Sequence, residues 1–183
     1  MHRNTEPIKT AIAGLLFLSL LCLSFSAFAE RASFMENTKP PLQITKQTGL
    51  KVAVQVNHAD TIPNGVSKQV MAAKNLFDQY AALGMKPGKD YEIVMVFRGD
   101  GSQFLLTDEA YDQKVKQPHR KGNPNRSVLD ALNKGGVKMY ECGLAMQLKG
   151  YSSADILPYS RIVVSGIGAM IDFEESGYRS ITP

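Results

Sequence analysis

Cys142 stands at the junction of a predicted strand and a predicted helix, where covalent chemistry is feasible. The strand (137–142) follows a Gly-Gly turn and carries Val, Met and Cys among polar residues. Gly143 permits a tight turn, and Gly150 is typical of a helix stop. Free N–H groups and the dipole at a helix start favour an anion, so they favour thiolate over thiol. Thiolate is the nucleophile of sulfur chemistry, and this position therefore predicts a reactive cysteine.

The same cysteine has an inert interpretation. Free cysteine is among the most buried residue types and often packs as a small hydrophobe. Burial of its sulfur under Leu144 and a helix starting at Ile167 would favour that structural role. The carboxyl edge of a sheet, in contrast, is where α/β proteins keep their sites. Sequence alone leaves both interpretations of Cys142 open.

The first 29 residues have the pattern of a secretory signal peptide. Basic residues precede an apolar run over 11–25, and an A-x-A site at 27–29 predicts cleavage after Ala29. The run is too short to be a good spanning helix, so we expect no stable membrane insertion after cleavage. The predicted location is the periplasm or the exterior.

Processing would leave Cys142 as the single cysteine, because Cys22 lies in the leader. A lone cysteine in an oxidising compartment is a free thiol or pairs between chains. The leader holds two basic and one acidic residue, so its loss takes the formal charge from +4 to +3, which does not indicate a nucleic-acid partner. Only His58 and His119 would remain as histidines, without close ligand spacing, so we expect no metal and no cofactor.

The remainder of the chain divides into an extended lead-in over 30–48 and one domain over 49–183. Strands and helices alternate in the domain, which predicts a mostly parallel sheet with helices on both faces. The predicted strands are 51–56, 91–97, 137–142, 161–166 and 178–182, and the clearest helices are 66–83, 128–134 and 167–176. The polar stretch 107–126 is interpreted as a mobile loop or a helix interrupted by prolines, with Ser127 as the N-cap of the helix that follows.

Several strings of this domain, taken in order, resemble the DsrE/DsrF-like family, above all its small secreted members without an assigned function. The strings are 133–143, 155–158, 163–166 and 175–178, with Gly150 between the first two. The resemblance implies a flavodoxin-like three-layer sandwich with a mostly parallel five-stranded sheet, in a homo-oligomer that is commonly a trimer or hexamer. A persulfide-carrying cysteine of the sulfur-relay members corresponds to Cys142, and pocket loops of the family correspond to His58 and Gly99.

The loops that follow parallel strands reach one edge of the sheet, so their side chains could line one pocket. The candidate residues are Cys142 as nucleophile, with His58, Arg98, Gly99, Gly143, Ser165 and Gly166 around it. Arg98 could stabilise a thiolate or bind an oxyanion, although it could also simply pair with Asp100. His58 could exchange a proton or be a solvent-facing loop residue. Ser165 and Gly166 could bind an anion at a helix start.

These residues favour a sulfurtransferase-like carrier rather than a turnover enzyme. We expect Cys142 to accept sulfane sulfur as a persulfide and to pass it to a partner thiol. A sulfur-donor or acceptor protein would be its partner. Two alternatives stay open: an oligomeric scaffold domain with a structural cysteine, and a redox-sensing thiol that forms sulfenic acid or a mixed disulfide.

Overall fold

The computed structural model describes residues 44–116 and 121–183, so the predicted leader, most of the lead-in and residues 117–120 lie outside the described residues. The strands are β1 (Leu50–Val56), β2 (Tyr91–Phe97), β3 (Lys138–Cys142), β4 (Arg161–Val163) and β5 (Arg179–Ile181). The α-helices are α1 (Lys68–Ala82), α2 (Asp108–Lys114), α3 (Arg126–Lys134), α4 (Gly143–Lys149) and α5 (Gly166–Glu175). Two short 3₁₀ helices cover Gly99–Leu105 and Ser153–Asp155.

The five strands form one parallel sheet in the order β4-β3-β2-β1-β5. Each strand from β2 to β4 adds to the same side of its predecessor, and β5 then returns to lie beside β1. Because parallel crossovers are right-handed, the return connection places its helix on the opposite face from the earlier ones. The result is the predicted α/β flavodoxin-like sandwich of three layers, and the fold prediction is confirmed.

The two faces of the sheet differ in how much they bury. The larger core lies under α1 and α3, where Val70, Ala73, Leu129 and Leu132 pack with alternate strand residues. The other face is covered by α5, whose Met170 packs on Ala53, Val94 and Val96. An aromatic row of Tyr140, Phe173 and Tyr178, with ring centroids 5.1 and 5.2 Å apart, completes that smaller core. Successive residues of a strand therefore face the two cores alternately.

Local signals set most helix ends where they were predicted. Gly150 ends α4 in the left-handed region, with φ +69°, which favours glycine. One predicted end is wrong, because α3 begins at Arg126 with Asn125 at its N-cap, and Ser127 lies inside the helix. The Asn125 side chain is buried and accepts a hydrogen bond from the Ser67 backbone N–H at 2.8 Å. The hydrogen bond from Ser67 fixes Asn125 in the core, and the helix begins directly after it.

The stretch 107–126 is partly helical. Thr107 caps α2, with its side-chain oxygen accepting from the Ala110 N–H at 3.2 Å. After the undescribed residues, the buried Asn123 side chain donates to the carbonyls of Phe104 and Leu106 at 2.9 and 2.7 Å. The end of this stretch is therefore fastened to the core. Among the residues described, no helix is both long and apolar enough to cross a membrane.

Candidate functional site

The Cys142 sulfur lies against the start of a helix, but not of the helix that follows it in sequence. Cys142 is the last residue of β3 and makes no side-chain cap hydrogen bond to α4. Its Sγ accepts the backbone N–H of Gly166, the first residue of α5, at 3.1 Å. The residue is 6% exposed. The positive end of α5 thus supplies the helix-start environment that the sequence had assigned to α4.

Gly166 is required for this contact because the ends of two strands, β2 and β3, converge on it. A Cβ atom at position 166 would lie 3.1 Å from the Cys142 Cβ and 3.0 Å from the Arg98 Cβ. The same atom would lie 3.2 Å from the Arg98 Cδ. The missing side chain lets the end of β3, the end of β2 and the start of α5 pack together around the sulfur.

Arg98 is held beside this contact with part of its guanidinium unused. Its Nε donates to Gln55 Oε1 at 2.7 Å, and Gln55 in turn donates to Thr182 Oγ1 at 3.0 Å. The predicted alternative, a pair with Asp100, does not form, since Asp100 accepts from Lys149 at 2.9 Å. Within the described ranges, the terminal Nη groups of Arg98 have no hydrogen-bond partner. The hydrogen bond to Gln55 directs the guanidinium toward β1, so its free Nη donors are available to an anion at this edge of the sheet.

The other predicted glycines and Ser165 shape the backbone near the sulfur. Gly143 opens α4, and a Cβ there would lie 3.0 Å from the Val163 carbonyl oxygen. Gly99 has φ +54° and opens the first 3₁₀ helix. Ser165 Oγ accepts from the Gly168 N–H at 3.3 Å, so its hydroxyl caps α5. These residues lie at the same edge as Cys142 and build the turns around it.

His58 also lies at this edge, where its backbone rather than its side chain is held in place. Its backbone N–H donates to Gln69 Oε1 at 3.0 Å, and the neighbouring Asn57 N–H donates to the same oxygen at 2.8 Å. Gln69 also donates to the Pro183 carbonyl at 3.1 Å. The residue itself is exposed, and its imidazole makes no hydrogen bond to the described residues. The geometry therefore matches the solvent-facing alternative for His58.

Sequence reasoning missed Glu141, which is completely buried beside Cys142. Its Oε1 accepts from Ser102 Oγ at 2.5 Å, while its Oε2 is buried and has no hydrogen-bond partner among the described residues. Burial raises the pKa of Glu141 to about 8, against the hydrogen bond from Ser102 and the charge of Lys149, which lower it. The signal was present in the sequence, because Glu141 shares the strand face of Val137 and Met139, which both enter the larger core.

Exposed apolar residues lie on the strand and the helices next to Cys142. Leu144 and Ile167, the residues expected to cover Cys142 in the structural interpretation, are 51% and 59% exposed, and Val164 is 86% exposed. The set that we call the apolar surface comprises Leu144, Leu148, Ile162, Val164, Ile167 and Ile171. It follows the edge strand β4 and the helices that start on either side of it. Large exposed apolar residues in such a cluster mark an interaction site.

The chain is similar to proteins whose structures have been solved. The protein of unknown function MTH1491 from Methanobacterium thermoautotrophicum matches with a TM-score of 0.52 and 17% identity, over 73% of this chain and 99% of that one. The ychN protein from E. coli matches with a TM-score of 0.49 and 14% identity, over 73% and 97% of the two chains. A search of curated proteins finds no match.

The comparison with family models matches this chain to one family. The family model of the DsrE/DsrF-like family matches residues 43–183, which include every described helix and strand. This range contains the end of β3 with Cys142 and the start of α5 with Gly166. The chain belongs to the DsrE/DsrF-like family.

Proposed function

We propose that this protein carries sulfane sulfur on Cys142 as a persulfide. Membership of the DsrE/DsrF-like family suggests a sulfur-relay-type role. The observation that carries the finer proposal is the Gly166 N–H at 3.1 Å from Sγ, at the start of α5. This donor and the positive end of the helix favour a negatively charged sulfur, which is the form that attacks and the form that a persulfide takes after attack.

The chemistry needs no external oxidant when the donor is a polysulfide. The Cys142 thiolate attacks a sulfane sulfur, so that an Sγ–S bond forms while an S–S bond of the donor breaks, and a shortened polysulfide anion leaves. In the second step, an acceptor thiolate attacks the outer sulfur of the persulfide. The Sγ–S bond then breaks, and Cys142 leaves as thiolate. Charge and electrons balance in each step.

We further propose that the working form is a homo-oligomer, which the family resemblance suggests is a trimer or hexamer. The apolar surface supports this, since Val164 at 86% exposed and its neighbours would be covered by another copy. The surface adjoins Cys142, so an interface there would also enclose the sulfur in apolar surroundings. We propose that a sulfur-donor or acceptor protein reaches the sulfur from the Arg98 side.

The proposed location is the periplasm or the exterior, after cleavage at Ala29. The residues that support this lie outside the described structure. Expression of the full chain in a Gram-negative host, followed by fractionation and intact mass, tests it. The proposal expects a secreted product that begins at Glu30, and an uncleaved chain in the cytoplasmic fraction would contradict it.

The central experiment is the intact mass of the mature protein after incubation with polysulfide, in parallel with a Cys142→Ser variant. The proposal expects a gain of about one sulfur atom that reductant removes and that the variant does not show. A parallel incubation with peroxide separates the carrier from a redox sensor, since a sensor gains oxygen instead. The absence of any adduct in both arms would contradict the carrier.

A second function has one observation in its favour. Cys142 is only 6% exposed, as expected for a structural cysteine in an oligomeric scaffold domain. On that interpretation, the folded protein would resist thiol reagents, and Cys142→Ser would leave the oligomer and every binding property unchanged. Rapid labelling of the folded wild type by a small uncharged thiol reagent would exclude it.

A further inference from the structure

A buried carboxyl group ties the first 3₁₀ helix to β3. Glu141 has no exposed surface, and its Oε1 accepts the Ser102 hydroxyl at 2.5 Å. Ser102 is also completely buried and belongs to the 3₁₀ helix over Gly99–Leu105. The second carboxyl oxygen, Oε2, is buried and has no hydrogen-bond partner among the described residues. A buried carboxylate oxygen without a donor is costly, so the closed structure accommodates Glu141 best as the neutral acid.

The two ends of this 3₁₀ helix are held differently. Phe104 and Leu105 are buried in the larger core and anchor its carboxyl end. The other end rests on β1 through bare backbone, because a Cβ atom at Gly101 would lie 2.3 Å from the Val56 carbonyl oxygen. The segment that can separate from the sheet while the core stays intact is therefore 99–103.

The other tether of this segment is exposed. Lys149 Nζ lies 2.9 Å from Asp100 Oδ1, but the Asp100 side chain is 70% exposed, and such surface pairs contribute little. The buried contact between Ser102 and Glu141 is therefore the stronger hold on segment 99–103.

The titratable groups around this contact come from several elements. They are Asp100 of the 3₁₀ helix, Tyr111 of α2, Lys149 of α4, Tyr151 after α4 and Asp155 of the second 3₁₀ helix. Burial raises the pKa of both Tyr111 and Tyr151, so these phenols stay neutral between pH 6 and 8. Lys149 is engaged by Asp100, and Cys142, the next residue of the strand, places its Sγ against α5 on the other face.

We propose that Glu141 and Ser102 form a latch that keeps segment 99–103 closed while the carboxyl carries its proton and lets the segment open when that proton passes to solvent. In the open state, water supplies the donors that an ionised Glu141 lacks in the closed state. Arg98 directly precedes the segment, so opening alters the carboxyl edge of the sheet. The inference goes beyond the proposed function, because it invokes no chemistry of Cys142.

The direction of the pH dependence follows from proton binding. Burial holds the pKa of Glu141 at about 8 in the closed structure, and exposure to water returns it to its ordinary value of 4.5. The open state thus binds fewer protons than the closed state, and opening is favoured as pH rises. The opening equilibrium should increase about tenfold per pH unit from pH 5 to 7 and should level off above pH 8.

Hydrogen–deuterium exchange of peptides that cover 99–103 measures this opening at pH 6, 7, 8 and 9. Their main reporter is the Gly101 N–H, which donates to the Arg98 carbonyl at 3.1 Å. Glu141→Gln keeps an oxygen acceptor for Ser102 but cannot ionise. The ratio of the wild-type rate to the Glu141→Gln rate at one pH cancels the pH dependence of exchange itself.

Two controls accompany the measurement. Glu92→Gln is the matched variant, because Glu92 is a strand carboxylate that accepts the Tyr178 hydroxyl at 2.9 Å and lies near the amino end of β2. A second series in the Cys142→Ser background removes the thiol.

The expected ratio rises about tenfold between pH 6 and 7 and levels off above pH 8, with or without Cys142→Ser. Glu92→Gln should follow wild type, and peptides of β1 should exchange more slowly than 99–103 at every pH because the opening is local. The latch needs no persulfide, so failure of the polysulfide experiment would reject the carrier and leave this result unchanged.

A ratio that stays constant from pH 6 to 9 would overturn the latch. Equal exchange rates in 99–103 and in β1 would overturn it as well, because the opening would then be global unfolding. A rise that Cys142→Ser abolishes would assign the pH dependence to the thiol instead. If Glu141→Gln does not fold, the last turn of α1 (79–83) becomes the reference within wild type, and a constant ratio to it counts against the latch.

Discussion

The stability of this protein should fall as pH rises from about 5 to 8, because Glu141 is buried. A carboxyl whose pKa is raised from 4.5 in the unfolded chain to about 8 in the fold binds its proton more tightly when folded. Its contribution is fully present below pH 4.5 and is lost progressively as pH approaches the folded pKa. The full difference in the free energy of unfolding, reached above pH 8, is about 5 kcal/mol at about 1.4 kcal/mol per unit of pKa shift, and about 3.5 kcal/mol of it falls between pH 5 and 8.

Glu141→Gln removes this dependence. The amide cannot ionise, yet its oxygen can still accept from Ser102, so the fold should be retained. We expect the variant to be more stable than wild type at pH 8 and nearly independent of pH between 5 and 8. Asp155, whose pKa is lowered mainly by the Ser152 N–H, affects stability only in acid below this window, with the opposite sign.

Urea denaturation at pH 5, 6, 7 and 8 measures the effect, at one fixed protein concentration in case copies associate. Glu92→Gln is the control and should keep the slope of the wild type. A wild-type free energy of unfolding that stays constant from pH 5 to 8 would refute the reasoning. An equal slope in wild type and Glu141→Gln would refute it too, since the titrating group would then be a different one.

Three further substitutions test the site and the apolar surface. Gly166→Ala should lower the free energy of unfolding by about 1–3 kcal/mol in urea denaturation, because its Cβ would lie only 3.0–3.1 Å from Arg98 and Cys142. Gly168→Ala is the control and should lower it less, because its Cβ would lie 3.6 Å from the nearest neighbour. Equal losses in the two variants would contradict the packing argument. Arg98→Gln should slow sulfur uptake in the intact-mass assay about tenfold through loss of a charged donor, and an unchanged rate would remove Arg98 from the site. Val164→Asp should shift the mass measured by light scattering toward the monomer, and an unchanged oligomer would place the interface elsewhere.

Much of the fold was predictable because its signals are local. The continuous apolar run at 91–97 is β2 to the residue, and Gly150 ends α4 as expected. Alternation of strands and helices predicts a parallel sheet, and the ordered strings around Cys142 indicate the family. These features depend on the period of side chains along the chain and on backbone preferences of glycine, which each segment carries by itself.

The partners of the sulfur were decided by tertiary structure alone. Strand order places the turn after β4 beside the end of β3. Gly166, 24 residues from Cys142, therefore supplies the N–H that α4, the helix directly after Cys142, was expected to supply. Packing likewise buries Glu141 and turns His58 outward through Gln69. Hydrophobic periodicity tells which residues face a core, but the position of a donor or a charge depends on which strands become neighbours. That choice is made by long-range packing, and no local pattern in the sequence encodes it.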